Sequence, residues 1–304
     1  METNAPMKAG VIGLGSMGLG VARSLLRAGL EVHGFDVRPE PLRALRDEGG
    51  IPAATPAELG GRVAALVVLV VNADQLDAVL FGPDGAAAAL PPSAVVLSSA
   101  TVAPEYAARL GERLRAMGLL HLDAPVSGGA AKAAAGQLTV MASGDPAAFQ
   151  RARPVLDAMA TKVHALGDRS GQGSTVKMVN QLLAGVHIAA AAEAMALCLR
   201  SGADPQAVYD VICGSAGASW MFQNRVPHIL AGDYTPLSAV SIFVKDLSIV
   251  LDSARKLGMS LPLAATAHQM FLGAAATGHG GEDDSAVIKI FPGVPLPGPR
   301  SREE

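Results

Sequence analysis

The chain has 304 residues, half of them hydrophobic but only 4% aromatic, which is enough for two domains of ordinary size with cores built from Ala, Val and Leu. Its formal net charge is −3, from 24 basic and 27 acidic residues with no block of like charge, so neither a nucleic-acid footprint nor a membrane-surface patch is expected. The first apolar run starts within ten residues of Met1 and leaves no room for a removable signal, while Cys198 and Cys213 read as free thiols of a reducing compartment; a cytoplasmic protein is the expectation.

The first predicted strand, at 8–13, runs into glycines and then a helix from Ser16 to Ala28. Gly13, Leu14, Gly15, Ser16, Met17 and Gly18 form a G-x-G-x-x-G turn in the context that gives the pattern meaning. The first glycine permits a tight turn, the second lets a pyrophosphate approach the backbone, and the third lets helix and strand pack closely, with the helix N-terminus facing the anion. A second strand at 31–36 ends in Asp36, where a dinucleotide-binding unit needs an acid for a ribose hydroxyl. A carboxylate there repels a 2′-phosphate, so NAD is expected over NADP, with Arg38 as a partial offset.

Further strands are predicted near 63–71, 95–99, 121–126, 139–143 and 162–166, with helices between them, one opened by Asp145-Pro146. Strand alternating with helix is the signature of a doubly wound parallel sheet of the Rossmann type, covered on both faces. At the end of one strand stands Asp123-Ala-Pro-Val-Ser127-Gly128-Gly129, followed by Lys132 and Gly136. Ser127 offers a hydroxyl, and Gly128 and Gly129 offer unobstructed backbone N–H groups suited to a carboxylate; a tight turn with no ligand would use the same glycines.

Near residue 170 the strand pattern stops and helical segments follow, at about 174–200, 204–213, 220–230, 238–257, 262–276 and 285–289, an all-helical C-terminal domain. The division expected is 1–170 for a nucleotide-binding domain and 171–304 for a substrate and oligomerisation domain. The first of these helices is apolar nearly all the way round, as a buried helix reads, yet it carries Lys177 in its first turns with Asn180 and Gln181 on the same face. His187 and Glu193 interrupt its apolar run and argue against a membrane span. Lys245-Asp246 is a second polar pair inside an otherwise apolar helix. His187 lacks a second ligand at metal spacing, so no metal site is expected.

Taken in order and spacing, the Gly13–Gly18 turn, Asp123–Gly136, Gly171–Asn180 and Lys245-Asp-Leu resemble the four signatures of the β-hydroxyacid dehydrogenase family, over almost the whole chain. The resemblance implies a Rossmann domain with an all-α C-terminal domain, a nicotinamide cofactor, a small hydroxy acid substrate, and a homodimer or homotetramer. It implies further that Lys177 is the catalytic lysine, that Ser127, Gly128 and Gly129 hold the substrate carboxylate, that Asn180, Gln181 and Asp246 bind substrate, and that Asn72, Thr101 and Lys245 stand on the cofactor side. Within the family the stretches Ser174–Ala190, Ser219–Phe222, Gly232–Pro236 and Glu282–Phe291 are most similar to a branch acting on a four-carbon sugar acid. Lys132 and Ala100 depart from the commonest family residues, glycine and serine.

Such an oxidation needs a hydride acceptor, which a nicotinamide supplies, and a base for the hydroxyl proton, which Lys177 supplies. A lysine of ordinary pKa, about 10.4, is almost fully protonated at neutral pH; tuning it to about 7 to 8 takes roughly 3 to 5 kcal/mol, for which burial is the expected cause. A polyhydroxy acid also asks for polar groups beyond a carboxylate clamp, and Lys132, Asn180, Gln181, Lys245, Asp246 and Asp283 or Asp284 are candidates. Two other readings share the fold: an imine reductase, against which the lysine counts, and a non-catalytic dinucleotide sensor, which would give Lys177, Asn180 and Ser127 no reason to occur together.

Overall fold

The computed structural model describes residues 6–298. In chain order, β1 (Lys8–Ile12), α1 (Ser16–Arg27), β2 (Glu31–Phe35), α2 (Pro39–Asp47), β3 (Ile51–Pro52), α3 (Pro56–Gly60), β4 (Ala65–Val68), α4 (Ala73–Phe81), β5 (Val95–Ser98), α5 (Pro104–Ala116) and β6 (Leu120–Asp123) alternate as the pattern predicts. There follow β7 (Val126–Ser127), α6 (Gly129–Ala135), β8 (Leu138–Gly144), α7 (Pro146–Met159) and β9 (Ala160–Ala165). Among the described residues the elements that follow are all helical: α8 (Gln172–Ser201), α9 (Pro205–Cys213), α10 (Trp220–Ala231), α11 (Val240–Lys256), α12 (Pro262–Ala274), a π turn (Ala275–His279) and a 3₁₀ turn (Asp284–Ile290). The chain forms two compact units, Met1–Lys177 and Met178–Glu304, and the division falls inside α8.

The sheet runs β3-β2-β1-β4-β5-β6-β8-β7, with β9 on β8. Its pairs are parallel from β3 through β6, which is the Rossmann arrangement; β8 then runs antiparallel to β6 and β7, so the far edge is mixed. Successive strand residues enter different cores. Ala9, Val11, Ala65, Val67, Val95 and Leu97 join one buried cluster, and Ile12, Leu66, Val68 and Val96 join another. Because side chains alternate across a strand, two clusters mean a sheet buried on both faces, with about 1.5–3 kcal/mol for each Val or Leu side chain taken fully from water.

In the second unit Ile188, Ala192, Met195 and Ala196 of α8 pack with Phe222, Val226, Phe243, Leu247 and Phe271. The helix is less buried than its composition predicts: Val179 is 53%, Leu183 50% and Leu197 72% exposed. These positions repeat at helical spacing on one exposed face, shared with Ala190 and Glu193, which a sequence so rich in alanine, valine and leucine barely distinguishes from the core face. An 18-residue stretch of α8 reaches a mean hydropathy of 1.9, long and apolar enough by length and composition to cross a membrane, a property that a packed core helix shares.

Candidate active site

The glycine turn has the geometry its spacing predicts. Gly13 has φ +85°, and a Cβ there would stand 2.7 Å from Leu69 O; a Cβ at Gly18 would stand 1.7 Å from Gly13 O. Neither position accepts another residue without moving backbone. At Gly15 a Cβ would meet only Arg38 Nη2, at 3.8 Å, so this backbone faces open space at the start of α1. A cavity of about 480 Å³ adjoins it, lined by Leu14, Gly15, Ser16, Arg38, Ala130 and Ala134 among others. An open peptide at a helix N-terminus beside such a cavity fits a dinucleotide phosphate.

Asp36, 8% exposed, ties this turn to the end of β2. Its Oδ2 accepts the Leu14 N–H at 2.8 Å, and its Oδ1 accepts the Arg38 N–H at 2.9 Å and Arg38 Nε at 3.2 Å. Burial alone would push the carboxyl up, but hydrogen bonds from Arg38 and Leu14, with the guanidinium charge, hold it below the usual carboxylate range. Asn72 caps α4, its Oδ1 accepting the Gln75 N–H at 2.9 Å, and Thr101 follows the carboxyl end of β5 half-buried.

Lys177 is 9% exposed, and its Nζ donates to Val126 O at 2.9 Å. Val126 immediately precedes Ser127, so the fold brings the lysine amine to the strand that opens the Ser-Gly-Gly turn. Ser127 is half-buried at the end of β7. Gly128 and Gly129 have φ +140° and +77°, conformations that favour glycine, and at Gly129 a Cβ would meet nothing within 4 Å. Lys132 lies in the turn's short helix α6, exposed, with its stem against Gly128.

What sequence reasoning misses is how the start of α8 is held. Asp123, fully buried at the end of β6, accepts the N–H groups of Gly171 at 2.9 Å and Ser174 at 2.8 Å and the Ser174 hydroxyl at 2.7 Å. Its cross-strand partner Ser143 accepts the Gly173 N–H at 2.9 Å. These satisfy N–H groups that a helix start leaves without an intrahelical partner. A Cβ at Gly173 would stand 2.3 Å from Met141 O, so the first turn is pressed onto the sheet. Burial pushes the Asp123 carboxyl up against the opposing hydrogen bonds from Ser174, Gly171 and Ser143. One residue earlier, Ser170 Oγ lies 2.7 Å from His121 Nδ1, whose Nε2 lies 2.8 Å from Ser98 Oγ; burial lowers this histidine to about 3. The available signal was weak: an acid ending an apolar strand, and Gly171-Gln-Gly173-Ser174 opening a helix.

In the second unit Asn180, Gln181, Asp246 and Lys245 form a chain. Asn180 Nδ2 donates to Gln181 Oε1 at 3.0 Å, and Gln181 Nε2 donates to Asp246 Oδ2 at 2.5 Å. Lys245 Nζ stands 2.7 Å from Asp246 Oδ1, an ion pair lying off the direction of a hydrogen bond. Asp283 and Asp284 are fully buried and engaged elsewhere in that unit, Asp283 with Leu237 N and Ser285, and Asp284 with Arg225 in a bidentate pair. They brace the loop before the 3₁₀ turn, and neither carboxylate is available as a ligand group.

A dinucleotide-receptive turn on a doubly wound sheet, followed by a buried lysine, defines a nicotinamide-dependent oxidoreductase. Comparison with known proteins narrows the class. The pattern of the NAD binding domain of 6-phosphogluconate dehydrogenase matches residues 8–167, and that of the NAD-binding domain of NADP-dependent 3-hydroxyisobutyrate dehydrogenase matches residues 171–291. L-threonate dehydrogenase of Cupriavidus necator is 65% identical over 95% of this chain and 97% of its own, and that of Escherichia coli K12 is 52% identical over 99% and 100%. A crystal structure of 3-hydroxyisobutyrate dehydrogenase from Salmonella typhimurium superposes with a TM-score of 0.90 at 55% identity, covering 94% of this chain and all of that one. The chain belongs to the β-hydroxyacid dehydrogenase family.

Proposed function

We propose that this enzyme oxidises L-threonate at C2 to the 2-oxo acid, 2-dehydro-L-erythronate, with NAD, in the cytoplasmic breakdown of acid sugars. The observation that carries the chemistry is Lys177, a nearly buried amine aimed at the peptide beside Ser127. The support for the substrate is the likeness to L-threonate dehydrogenases over nearly full length at 52–65% identity.

When bound, the nicotinamide supplies the hydride acceptor. Gly13 to Gly18 and Asp36 would hold it, with Asn72, Thr101 and Lys245 as further contacts. On the substrate side, Ser127 Oγ and the backbone N–H groups of Gly128 and Gly129 bind the carboxylate, Asn180 orients the hydroxyls, and Lys177 Nζ takes the hydroxyl proton. In reduction the same amine, protonated, returns that proton to the forming alkoxide. Residues 1–170 then serve mainly the cofactor, with Ser127, Gly128 and Gly129 lent to the substrate, and 171–304 serve mainly substrate and assembly, with Lys245 lent to the cofactor. A homodimer or homotetramer is supported by the exposed stripe of Val179, Leu183 and Leu197. Nucleic acid and membrane have no part in this reading.

Steady-state kinetics test it with L-threonate, D-threonate, the erythronates, D-glycerate and 3-hydroxyisobutyrate. L-threonate should give the highest kcat/KM, because a site built to hydrogen-bond hydroxyls rejects a substrate that lacks them. The second reading, 3-hydroxyisobutyrate, is favoured by the name of the solved relative at 55% identity. Faster oxidation of 3-hydroxyisobutyrate or D-glycerate would leave the family standing and the substrate overturned.

A further inference from the structure

We infer that Asp246 and Gln181 are positioning residues that fix the polarity of the Asn180 amide, so that Asn180 turns Oδ1, an acceptor, toward a substrate hydroxyl. This rests on the reading of Asn180 as the residue that orients the substrate.

The two faces of a side-chain amide differ little in size, so packing barely distinguishes them; hydrogen bonds must choose. Here the choice is forced from one end. A carboxylate accepts and does not donate. Asp246 is 2% exposed on α11, and its Oδ2 faces Gln181 at 2.5 Å, so Gln181 must present Nε2 there. Gln181, itself 7% exposed, is then obliged to turn Oε1 the other way, toward Asn180. That oxygen takes Asn180 Nδ2 at 3.0 Å, which leaves Asn180 Oδ1 on the side away from Gln181. The directionality begins at a carboxylate 65 residues from Gln181 in sequence and ends one turn of helix beyond Lys177.

Lys245 makes the logic reversible. Its ammonium only donates and stands 2.7 Å from Asp246 Oδ1. With Asp246→Asn, the new amide must turn its oxygen to Lys245 and its NH2 to Gln181. Gln181 then flips, and Asn180 flips after it and offers Nδ2 in place of Oδ1. The double substitution Gln181→Glu with Asp246→Asn keeps the net charge and restores the original polarity. A carboxylate at 181 accepts from Asn180 Nδ2 on one side and from the amide at 246 on the other.

The experiment measures kcat/KM for L-threonate, thermal melting, and neutron crystal structures of wild type, D246N and Q181E/D246N. Expected are a loss of at least tenfold in kcat/KM for D246N with melting little changed, and recovery to within about threefold in the double variant. The nuclear maps should show Oδ1 of Asn180 turned away from Gln181 in wild type and double variant, and Nδ2 in D246N. Wild-type kcat/KM in D246N, no recovery in a folded double variant, or an Asn180 amide that does not invert overturns the inference. Should D246N fail to fold, the wild-type map and the folded double variant still decide. A wild-type enzyme that oxidises no hydroxy acid defeats the functional reading instead, and the maps, which need no substrate, judge the amide polarity separately.

Discussion

The two ends of α8 are held by different physics. Its first turn is fixed by directional polar contacts: Asp123 receives Gly171 and Ser174, Ser143 receives Gly173, and His121 meets Ser170. Its later turns, through Ile188, Ala192 and Met195, are held by apolar packing. Packing keeps a helix in place but tolerates small slides and rotations, whereas hydrogen bonds to named backbone groups fix where it starts and how it is turned. The polar end is the one that carries Lys177.

The largest effect expected from breaking this arrangement is at Lys177 itself. Lys177→Ala should lower kcat at least a hundredfold while leaving cofactor affinity nearly intact, because the amine serves the hydroxyl proton. Turnover in the oxidation direction should rise with pH in the wild type. A variant with a tenth or more of wild-type kcat removes Lys177 from the chemistry.

Next come paired substitutions at the two ends. Asp123→Ala strands buried N–H groups, and Met195→Ala opens a cavity; each should cost about 2–5 kcal/mol in denaturant unfolding. They should differ in activity. Displacing a helix start by even about 1 Å can cost on the order of a hundredfold in rate, so Asp123→Ala should also depress kcat of the folded enzyme, whereas Met195→Ala should not. Equal kcat in both variants would erase the distinction drawn between the ends.

Ser127→Ala is smaller and of another kind. Losing a hydrogen bond to a charged group, about 1.5–3 kcal/mol, should appear mainly in substrate KM with kcat preserved. An unchanged KM would move the carboxylate elsewhere.

The His121 anchor should show in the pH dependence of stability. The folded histidine, lowered to about 3 by burial, stays neutral where the unfolded one, with a pKa of about 6.5, takes a proton. The unfolded chain therefore binds more protons between those limits. Stability is fully present above about pH 6.5 and is lost as pH falls toward 3, by about 1.4 kcal/mol per unit from this group. His121→Asn, compared by urea unfolding between pH 7.5 and 5, should flatten that slope, and an unaltered slope would mean the ring is not held neutral.

What was legible in the sequence follows the same division. The Gly13–Gly18 turn and Asp36 could be read because backbone geometry imposes them within a single strand-turn-helix unit. Strands such as Ala65–Val68 and Val95–Ser98 showed as apolar runs, while the two-residue strands Ile51–Pro52 and Val126–Ser127 are too short for a period to register. Lys177 stood out as a charge in an apolar helix. The contacts that hold its turn of helix did not, since Asp123 meets Gly171 and Ser174 across 48 and 51 residues; nor did the pair beside Asn180, where Gln181 meets Asp246 across 65. The exposed stripe on α8 was illegible for the opposite reason, because alanine, valine and leucine on every face do not say which face a neighbour covers.

The smallest effect expected, cofactor choice, tests the legible end of the site. Asp36 is engaged by Leu14 N–H and Arg38, which hold its carboxyl below the usual range, so it is ionised at neutral pH. A 2′-phosphate placed about 4 Å away meets a repulsion of up to about 4 kcal/mol per charge pair at an effective dielectric near 20. Arg38 offsets part of that, yet its guanidinium already faces Asp36, with Nε 3.2 Å from Oδ1. We therefore expect NAD to exceed NADP by at least about tenfold in kcat/KM, a difference of at least about 1.4 kcal/mol. Asp36→Ala should narrow or reverse the ratio by removing the repulsion and releasing Arg38 for the phosphate. Equal use of both cofactors by the wild type would mean that Arg38, rather than Asp36, faces the ribose.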